Sequence, residues 1–158
     1  MKVINLWGGP GCGKSTTAAG LFSLMKMRGH NVELVTEHAK DLTYDKDWDA
    51  LKRQDDILYE QHDRQKRLMG HVDYAITDSP LPLSIIYGGP KYFLDMNFVE
   101  SVMEFFRLFD NHNIMLKRVK PYSHYGRKES GDEAQEIDEK CVALMKDRKS
   151  TRLNSSHT

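Results

Sequence analysis

A glycine-rich segment near the N-terminus, GGPGCGKS at residues 8–15, fits the phosphate-binding pattern GxxxxGK[ST] in full. Glycines permit backbone torsions that let successive N–H groups converge on one anion. A helix starting near Lys14 adds its positive dipole end. In this pattern Lys14 reaches the β- and γ-phosphates, and the Ser15 hydroxyl holds Mg²⁺. The predicted nucleotide-binding residues are Gly8, Gly9, Pro10, Gly11, Cys12, Gly13, Lys14, Ser15 and Thr16.

A second candidate element of the same site is the segment YAITD at residues 74–78. It is an apolar strand candidate that ends in Asp78, and a carboxylate in that place orders Mg²⁺ directly or through water in phosphoryl-transfer enzymes. An aspartate at a strand end also commonly caps the next helix, which is the alternative interpretation. Together with the glycine-rich loop, the pattern favours a metal site formed by Ser15 and Asp78.

A candidate general base follows the second predicted strand. Glu37 lies in the polar segment TEHAKD, residues 36–41. A carboxylate there can face the γ-phosphate across the cleft and take a proton from an acceptor hydroxyl. The alternative is a solvated glutamate in a loop.

Two arginines are candidates for stabilising the charge of a transferring phosphoryl group. Arg118 and Arg127 lie in the polar stretch at residues 117–138, on a strand end and in a loop. The guanidinium fork suits charge that is spread over several phosphoryl oxygens. The alternative is ordinary surface charge. Glycines and low apolar content make residues 120–132 a predicted mobile lid.

The segment EQHDRQKRL at residues 60–68 carries three further polar candidates. Gln61, Arg64 and Gln65 would read a base or an acceptor phosphate if they faced a cleft. Runs of this kind are more often solvated helix faces.

These residues need a scaffold of alternating strands and helices. The predicted strands are residues 2–7, 31–35, 73–77 and 114–119, and the predicted helices are residues 15–28, 48–70, 98–109 and 134–145. Alternation of this kind predicts an α/β fold with a parallel, doubly wound sheet, here a three-layer P-loop NTPase fold.

The amino-acid composition narrows the classes of molecule that the protein is expected to bind. The chain has 158 residues, with 23 Lys and Arg against 23 Asp and Glu. A neutral balance favours a small-molecule acceptor and makes a nucleic-acid partner unexpected. Apolar runs are too short for a membrane span, and Cys12 and Cys141 form no CxxC pair, so a reduced, cytoplasmic setting is expected. The oligomeric state is left open.

Several P-loop classes fit poorly. A small GTPase needs a guanine-reading NKxD motif, which the sequence lacks, and a ring ATPase needs more length for its helical lid. The size fits a kinase of small molecules that moves the γ-phosphoryl of ATP to a nucleoside, a nucleotide or a ribosyl compound. The alternatives are an NTPase that couples hydrolysis to a conformational or partner-binding event, and a non-catalytic nucleotide sensor.

The order of the motifs resembles a known family. GGPGCGKSTTAAGL, VTEHAKDLT, ITDSPLPLSIIY and RVKPYSHYGRKESGDEAQEID follow one another as in a phage-type P-loop ATPase/kinase family with an AAA-type ATP-binding domain. The layout is similar to nicotinamide riboside kinases and deoxynucleoside kinases. The resemblance implies that Glu37 is the catalytic base, that Arg118 and Arg127 are the lid arginines, and that a phage-encoded chain would work in the host cytoplasm.

The C-terminal residues depart from that resemblance. Residues 147–157 equal the translation of a widely used short-read sequencing adapter. Residues 1–146 are therefore predicted to form a nucleotide-binding kinase domain that is truncated at its C-terminus, and residues 147–158 are predicted to be disordered. The last strand and the loop that packs on adenine in such folds are then missing. The preference for ATP over GTP consequently stays open.

Overall fold

A four-stranded parallel sheet organises the chain. The computed structural model describes residues 1–118 and 131–147, and within these the strand order is β2-β3-β1-β4. The strands are β1 (Lys2–Trp7), β2 (Val32–Val35), β3 (Tyr74–Thr77) and β4 (Asp110–Met115). All three pairings are parallel. Every crossover therefore needs a connection over a sheet face, and the helices provide these connections.

Eight helical segments connect or follow the strands in the described part of the chain. They are α1 (Lys14–Met27), α2 (His38–Tyr44), α3 (Trp48–Leu51), α4 (Gln54–Lys66), α5 (Leu83–Tyr87), α6 (Pro90–Phe93), α7 (Met96–Arg107) and α8 (Gly131–Asp147). None of them is long and apolar enough to cross a membrane.

The sheet has a separate apolar layer on each face. Along β1, Ile4 and Leu6 point to the face that is covered by α1, where Ala18 is buried against them. Val3 and Trp7 point to the opposite face, which packs on residues of α4, α5, α7 and α8. Burial on both faces is the reason why the parallel strands read as short apolar runs. The predicted three-layer α/β fold is thereby confirmed in its layout.

Buried asparagines fix β4 against β1. The Asn5 side chain donates hydrogen bonds to the side-chain oxygens of Asn111 (2.9 Å) and Asn113 (3.0 Å). The indole of Trp7 donates to the same Asn113 oxygen at 2.9 Å. Asn5 and Asn113 are almost completely buried, so these contacts replace the water that both amides lose. These hydrogen bonds stabilise β4, a strand that carries few apolar residues, in its position beside β1.

This pairing explains a wrong strand boundary. The apolar run predicted β4 at residues 114–119, whereas the strand begins at Asp110 and ends at Met115. The polar sequence DNHNIM does not resemble a buried strand by itself. Its partners on β1 are what make the position favourable.

The long helix predicted at residues 48–70 is interrupted. It is divided into α3 and α4 because the Tyr92 hydroxyl lies at the break. This hydroxyl accepts a hydrogen bond from the Gln54 backbone N–H (3.3 Å) and donates to the Lys52 carbonyl (3.2 Å). A side chain from α6, far away in sequence, thus serves the backbone groups that a continuous helix would have paired internally.

Three other helical segments differ from what the sequence indicated. Residues 36–41 were expected to form a polar stretch after β2, but His38–Tyr44 forms α2, which has no buried residue. The connection after β3 contains α5 and α6. Helix α8 begins at Gly131, inside the predicted lid. The predictions for residues 119–130 and 148–158 concern residues outside the described part of the chain.

Candidate functional site

The glycine-rich loop connects the C-terminal end of β1 directly to the N-terminus of α1. Gly11 and Gly13 have positive φ values of 74° and 100°, and residues that carry a Cβ rarely adopt such backbone torsions. Gly13 is also the N-cap of α1 and provides no side-chain cap. The first N–H groups of α1 therefore keep their capacity to bind an anion at the positive end of the helix.

Lys14 folds back over the loop. Its ammonium donates hydrogen bonds to the Gly8 carbonyl (2.6 Å) and the Gly9 carbonyl (3.0 Å). The charge is thus held above the concave side of the loop by two neutral acceptors. A phosphate oxygen would be a stronger, charge-assisted partner for the same ammonium.

The two predicted metal ligands are in direct contact. The Ser15 hydroxyl donates to Asp78 Oδ2 at 2.8 Å, although the two residues are far apart in sequence. Asp78 follows β3 immediately and is buried. The pair brings a hydroxyl oxygen and a carboxylate oxygen to one point beside the loop. Oxygen atoms of this kind suit Mg²⁺ as ligands, because the ion typically binds one or two carboxylates together with substrate phosphates. The two residues therefore fit this ion.

Strand register places the candidate base at the same edge of the sheet. Val35 of β2 pairs with Thr77 of β3, so the residues that follow each strand leave the sheet at one level. Asp78 follows β3, and Glu37 follows β2 as the N-cap residue of α2. Because this edge is the carboxyl end of parallel strands, it is where ligands bind in open α/β sheets.

Helix α4 holds the segment that carries Glu37. Buried Gln61 accepts from the His38 N–H (3.0 Å) and donates to the Thr36 carbonyl (3.1 Å). Arg64 donates to the Thr36 hydroxyl (3.1 Å) and to Asp41 (2.8 Å). Burial lowers the pKa of Arg64, but its hydrogen bonds to Asp41 and to a glutamate on α4 outweigh this effect and raise the pKa above its usual value.

The interpretation of the 60–68 segment as a solvated helix face is therefore wrong for its glutamines. Gln61 is 3% exposed and Gln65 is 1% exposed, and neither amide atom of Gln65 has a hydrogen-bond partner among the described residues. Gln61 and Arg64 support the backbone next to the candidate base. The role of these side chains in reading a base or an acceptor phosphate stays a prediction.

Arg118 connects the end of β4, the loop and α8. Its side chain donates to Asp138 Oδ2 (2.8 Å) and to the Pro10 carbonyl (2.7 Å). The second oxygen of Asp138 accepts from the Gly9 N–H. The structure thus brings this predicted arginine to the loop through an ion pair. Arg127 lies outside the described residues.

Close packing explains why residue 9 is a glycine. A Cβ on Gly9 would lie 2.4 Å from the Ala134 carbonyl oxygen and 2.6 Å from Asp138 Oδ1. Real Cβ contacts are not that short, so α8 and the loop approach each other only if this side chain is absent.

Both cysteines are poor nucleophiles in this setting. Burial raises the pKa of Cys12, and the nearby positive charge of Lys14 only partly opposes that effect. Burial raises the pKa of Cys141 on α8 to about 12. Since the thiolate is the reactive form, the structure supports a packing role for the two thiols.

Sequence reasoning missed two residues that contact the loop. Lys40 on α2 donates from its ammonium to the Ser15 hydroxyl at 3.1 Å, and Asp138 accepts from Gly9 and Arg118. The spacing of Glu37 and Lys40 would place both on one side of a helix. That signal was hidden because the segment has no apolar periodicity. No pattern in the sequence indicates which acid of α8 meets the loop.

Within the described residues, no group of three or more His, Cys, Asp or Glu side chains is arranged to hold a metal ion. The candidate metal site therefore depends on the Ser15–Asp78 pair and on phosphate oxygens from a bound nucleotide.

A comparison of the sequence with known protein families shows to which family the chain belongs. A sequence profile described as an AAA domain matches residues 3–155. The chain belongs to this AAA-domain family. The expected membership of a P-loop ATPase/kinase family is confirmed. A comparison with curated proteins gave no match.

Solved structures similar to this AAA-domain protein include a deoxyadenosine kinase from M. mycoides. Its structure with the products dCMP and a flexible dCDP has a TM-score of 0.52 and 17% identity, with 100% of this chain and 90% of the kinase covered. A structure of the same kinase with bound dATP gives a TM-score of 0.52 and 16% identity over the same shares. At such identities the likeness shows the fold alone, and the predicted three-layer P-loop NTPase fold is confirmed.

Proposed function

We propose that this protein is a phosphotransferase that moves the γ-phosphoryl of ATP to the hydroxyl of a small acceptor of the nucleoside or nucleotide class. The observation that carries the proposal is the 2.8 Å contact between Ser15 and Asp78 at the sheet edge where Glu37 also leaves its strand. The residues that would bind the triphosphate, the candidate metal site and the candidate base would then line one cleft. The fold of the M. mycoides kinase and its nucleotide ligands support the class of acceptor.

The loop and α1 would bind the triphosphate. Their N–H groups face the β-phosphate, and Lys14 exchanges the carbonyls of Gly8 and Gly9 for phosphate oxygens. Ser15 and Asp78 would hold Mg²⁺, which when bound supplies positive charge beside the β- and γ-phosphates.

Glu37 would activate the acceptor. Its carboxylate takes the proton of the acceptor hydroxyl, the hydroxyl oxygen forms a bond to the γ-phosphorus, and the bond from that phosphorus to the β-bridging oxygen breaks to release ADP. Arg118, three residues beyond β4, would add charge to the same group after its ion pair with Asp138 opens. Arg127 would act in the same way from the predicted lid.

The test is transfer of labelled γ-phosphate to a panel of deoxynucleosides, nucleoside monophosphates and nicotinamide riboside, with release of ADP followed in parallel. The proposal expects that an acceptor becomes labelled and that the release of ADP rises when it is added. Release of ADP that is independent of every acceptor would indicate an NTPase instead. Stoichiometric binding of ATP without turnover would indicate a nucleotide sensor.

A further inference from the structure

Lys40 contacts the candidate site, although the sequence indicated no role for it. It belongs to α2, and its ammonium is 3.1 Å from the Ser15 hydroxyl. The same hydroxyl donates to Asp78. Lys40 therefore reaches the Ser15–Asp78 pair at Ser15, from the helix that follows β2.

Among the described residues, Lys14, Arg118 and Lys40 contact the loop through different partners. Lys14 is bound to the backbone carbonyls of the loop, and the charge of Arg118 is matched by the carboxylate of Asp138. The hydrogen bond of Lys40 goes to a neutral hydroxyl, and its side chain is exposed. A weak neutral acceptor is readily exchanged for an anion, because charge-assisted hydrogen bonds are roughly twice as strong as neutral ones.

The position of Lys40 selects one phosphate. The N–H groups of the loop and Lys14 enclose the β-phosphate from the β1 side. Lys40 approaches from the first turn of α2, three residues after Glu37, which is the N-cap residue of the same helix. The phosphoryl group between the metal ligands and the candidate base is the γ-phosphoryl. The flexible four-carbon stem of a lysine allows the ammonium to move there without backbone motion.

We propose that Lys40 is a second phosphate-binding lysine, which moves from the Ser15 hydroxyl to the γ-phosphoryl oxygens of ATP and makes the site distinguish ATP from ADP. The inference rests on the proposed function only in assuming that the loop binds a nucleoside triphosphate. If Ser15 held a metal ion, the charge of that ion would repel the ammonium and favour the same movement.

The experiment compares Lys40→Met, which keeps the length of the side chain and removes its charge, with the charge-retaining Lys40→Arg. Lys66→Met, at an exposed lysine near the end of α4, is the matched control. Dissociation constants for ATP and for ADP are measured by titration calorimetry, once with Mg²⁺ and once with EDTA.

We expect Lys40→Met to weaken the binding of ATP by about 10- to 100-fold and that of ADP by less than about 2-fold, since one charged hydrogen bond to the γ-phosphoryl is lost. The selective loss should persist in EDTA, because the ammonium itself makes the contact. Lys40→Arg should recover most of the ATP affinity, and Lys66→Met should change neither constant.

Three results would overturn the inference: equal weakening for ATP and ADP, no weakening for either, or a loss that disappears in EDTA and so acts through the metal. Binding does not require turnover, which separates this test from that of the proposed function. If the wild-type protein transfers no phosphoryl group but the preference for ATP is lost in Lys40→Met, the proposed function is refuted and the inference is retained.

Discussion

The loop at residues 8–15 and the segment after β2 meet where Lys40 contacts Ser15, but they are held in place by different means. The loop is shaped by glycine torsions and by backbone carbonyls that bind Lys14. The segment after β2 is held by side chains of α4, chiefly Gln61 and Arg64. The first wall is local in sequence, whereas the second depends on a helix that follows it by some 25 residues.

This difference bears on what each wall would do in the proposed reaction. A phosphate that is bound by backbone N–H groups is held in nearly the same way in every nucleotide. In the proposed reaction the acceptor would be bound by side chains of the segment after β2, called here the α2 wall, and these can change without disturbing the loop. Substitutions that separate the two walls by their kinetic effects would test the division.

The largest effect is expected for Glu37→Gln on the α2 wall. The amide cannot accept the acceptor proton at neutral pH, so kcat for transfer should fall about 10²- to 10⁴-fold while the affinity for ATP is retained. Glu33→Gln, on β2 and in an exposed ion pair with Lys26, is the control and should retain activity. Loss of ATP affinity together with transfer would place Glu37 among the metal-binding groups, and an unchanged rate would remove it from the reaction.

The loop wall is tested by Lys14→Ala. Removal of an ammonium that stabilises the phosphoryl oxygens should lower kcat by about 10²- to 10³-fold, and labelled-phosphate transfer measures it. Lys26→Ala removes an exposed lysine from the same helix and should have little effect. If both variants retained the wild-type rate, the loop would have no part in catalysis.

The packing of α8 on the loop is tested by Gly9→Ala. The new methyl would lie 2.4 Å from the Ala134 carbonyl, so α8 must shift. We expect a loss of about 1–3 kcal/mol in the free energy of unfolding, measured by urea denaturation. Gly20→Ala on α1 is the opposite control, since nothing lies within 4 Å of its added methyl. It should stabilise the protein by roughly 0.5–1 kcal/mol, because alanine is the better helix former. Equal behaviour of the two variants would contradict the close contact.

A smaller effect is expected where α4 supports the α2 wall. Gln61→Met removes the acceptor of the His38 N–H and one of the two donors that the described residues supply to the Thr36 carbonyl, and should cost about 1 kcal/mol of stability. Its kinetic effect should appear in the acceptor KM and leave the affinity for ATP unchanged. Gln61→Glu keeps an acceptor for His38 but turns a carboxylate oxygen toward the Thr36 carbonyl, so it should be at least as harmful. A loss of ATP affinity in Gln61→Met would show that the two walls are coupled.

Local pattern predicted the parts of the fold whose stability is local. The strands β1, β2 and β3 lie where apolar runs indicated, and α1 follows the loop at the expected place. The position of β4 was wrong because Asn113 is stabilised by Asn5 and Trp7, which belong to another strand. The break between α3 and α4 depends on a tyrosine hydroxyl of α6 in the same way. Contacts of this kind leave no periodicity in the segment that they stabilise.

For the site, the sequence alone determined the loop, because its glycines and Lys14 act through backbone geometry that a short motif specifies. It also indicated Asp78, since a carboxylate after an apolar strand lies at the ligand-binding edge of a parallel sheet. Only the tertiary structure decided that Lys40 reaches Ser15 and that Asp138 binds Gly9 and Arg118. The physical reason is that these contacts depend on how helices pack across the sheet edge, and the apolar surfaces that direct this packing lie on other residues.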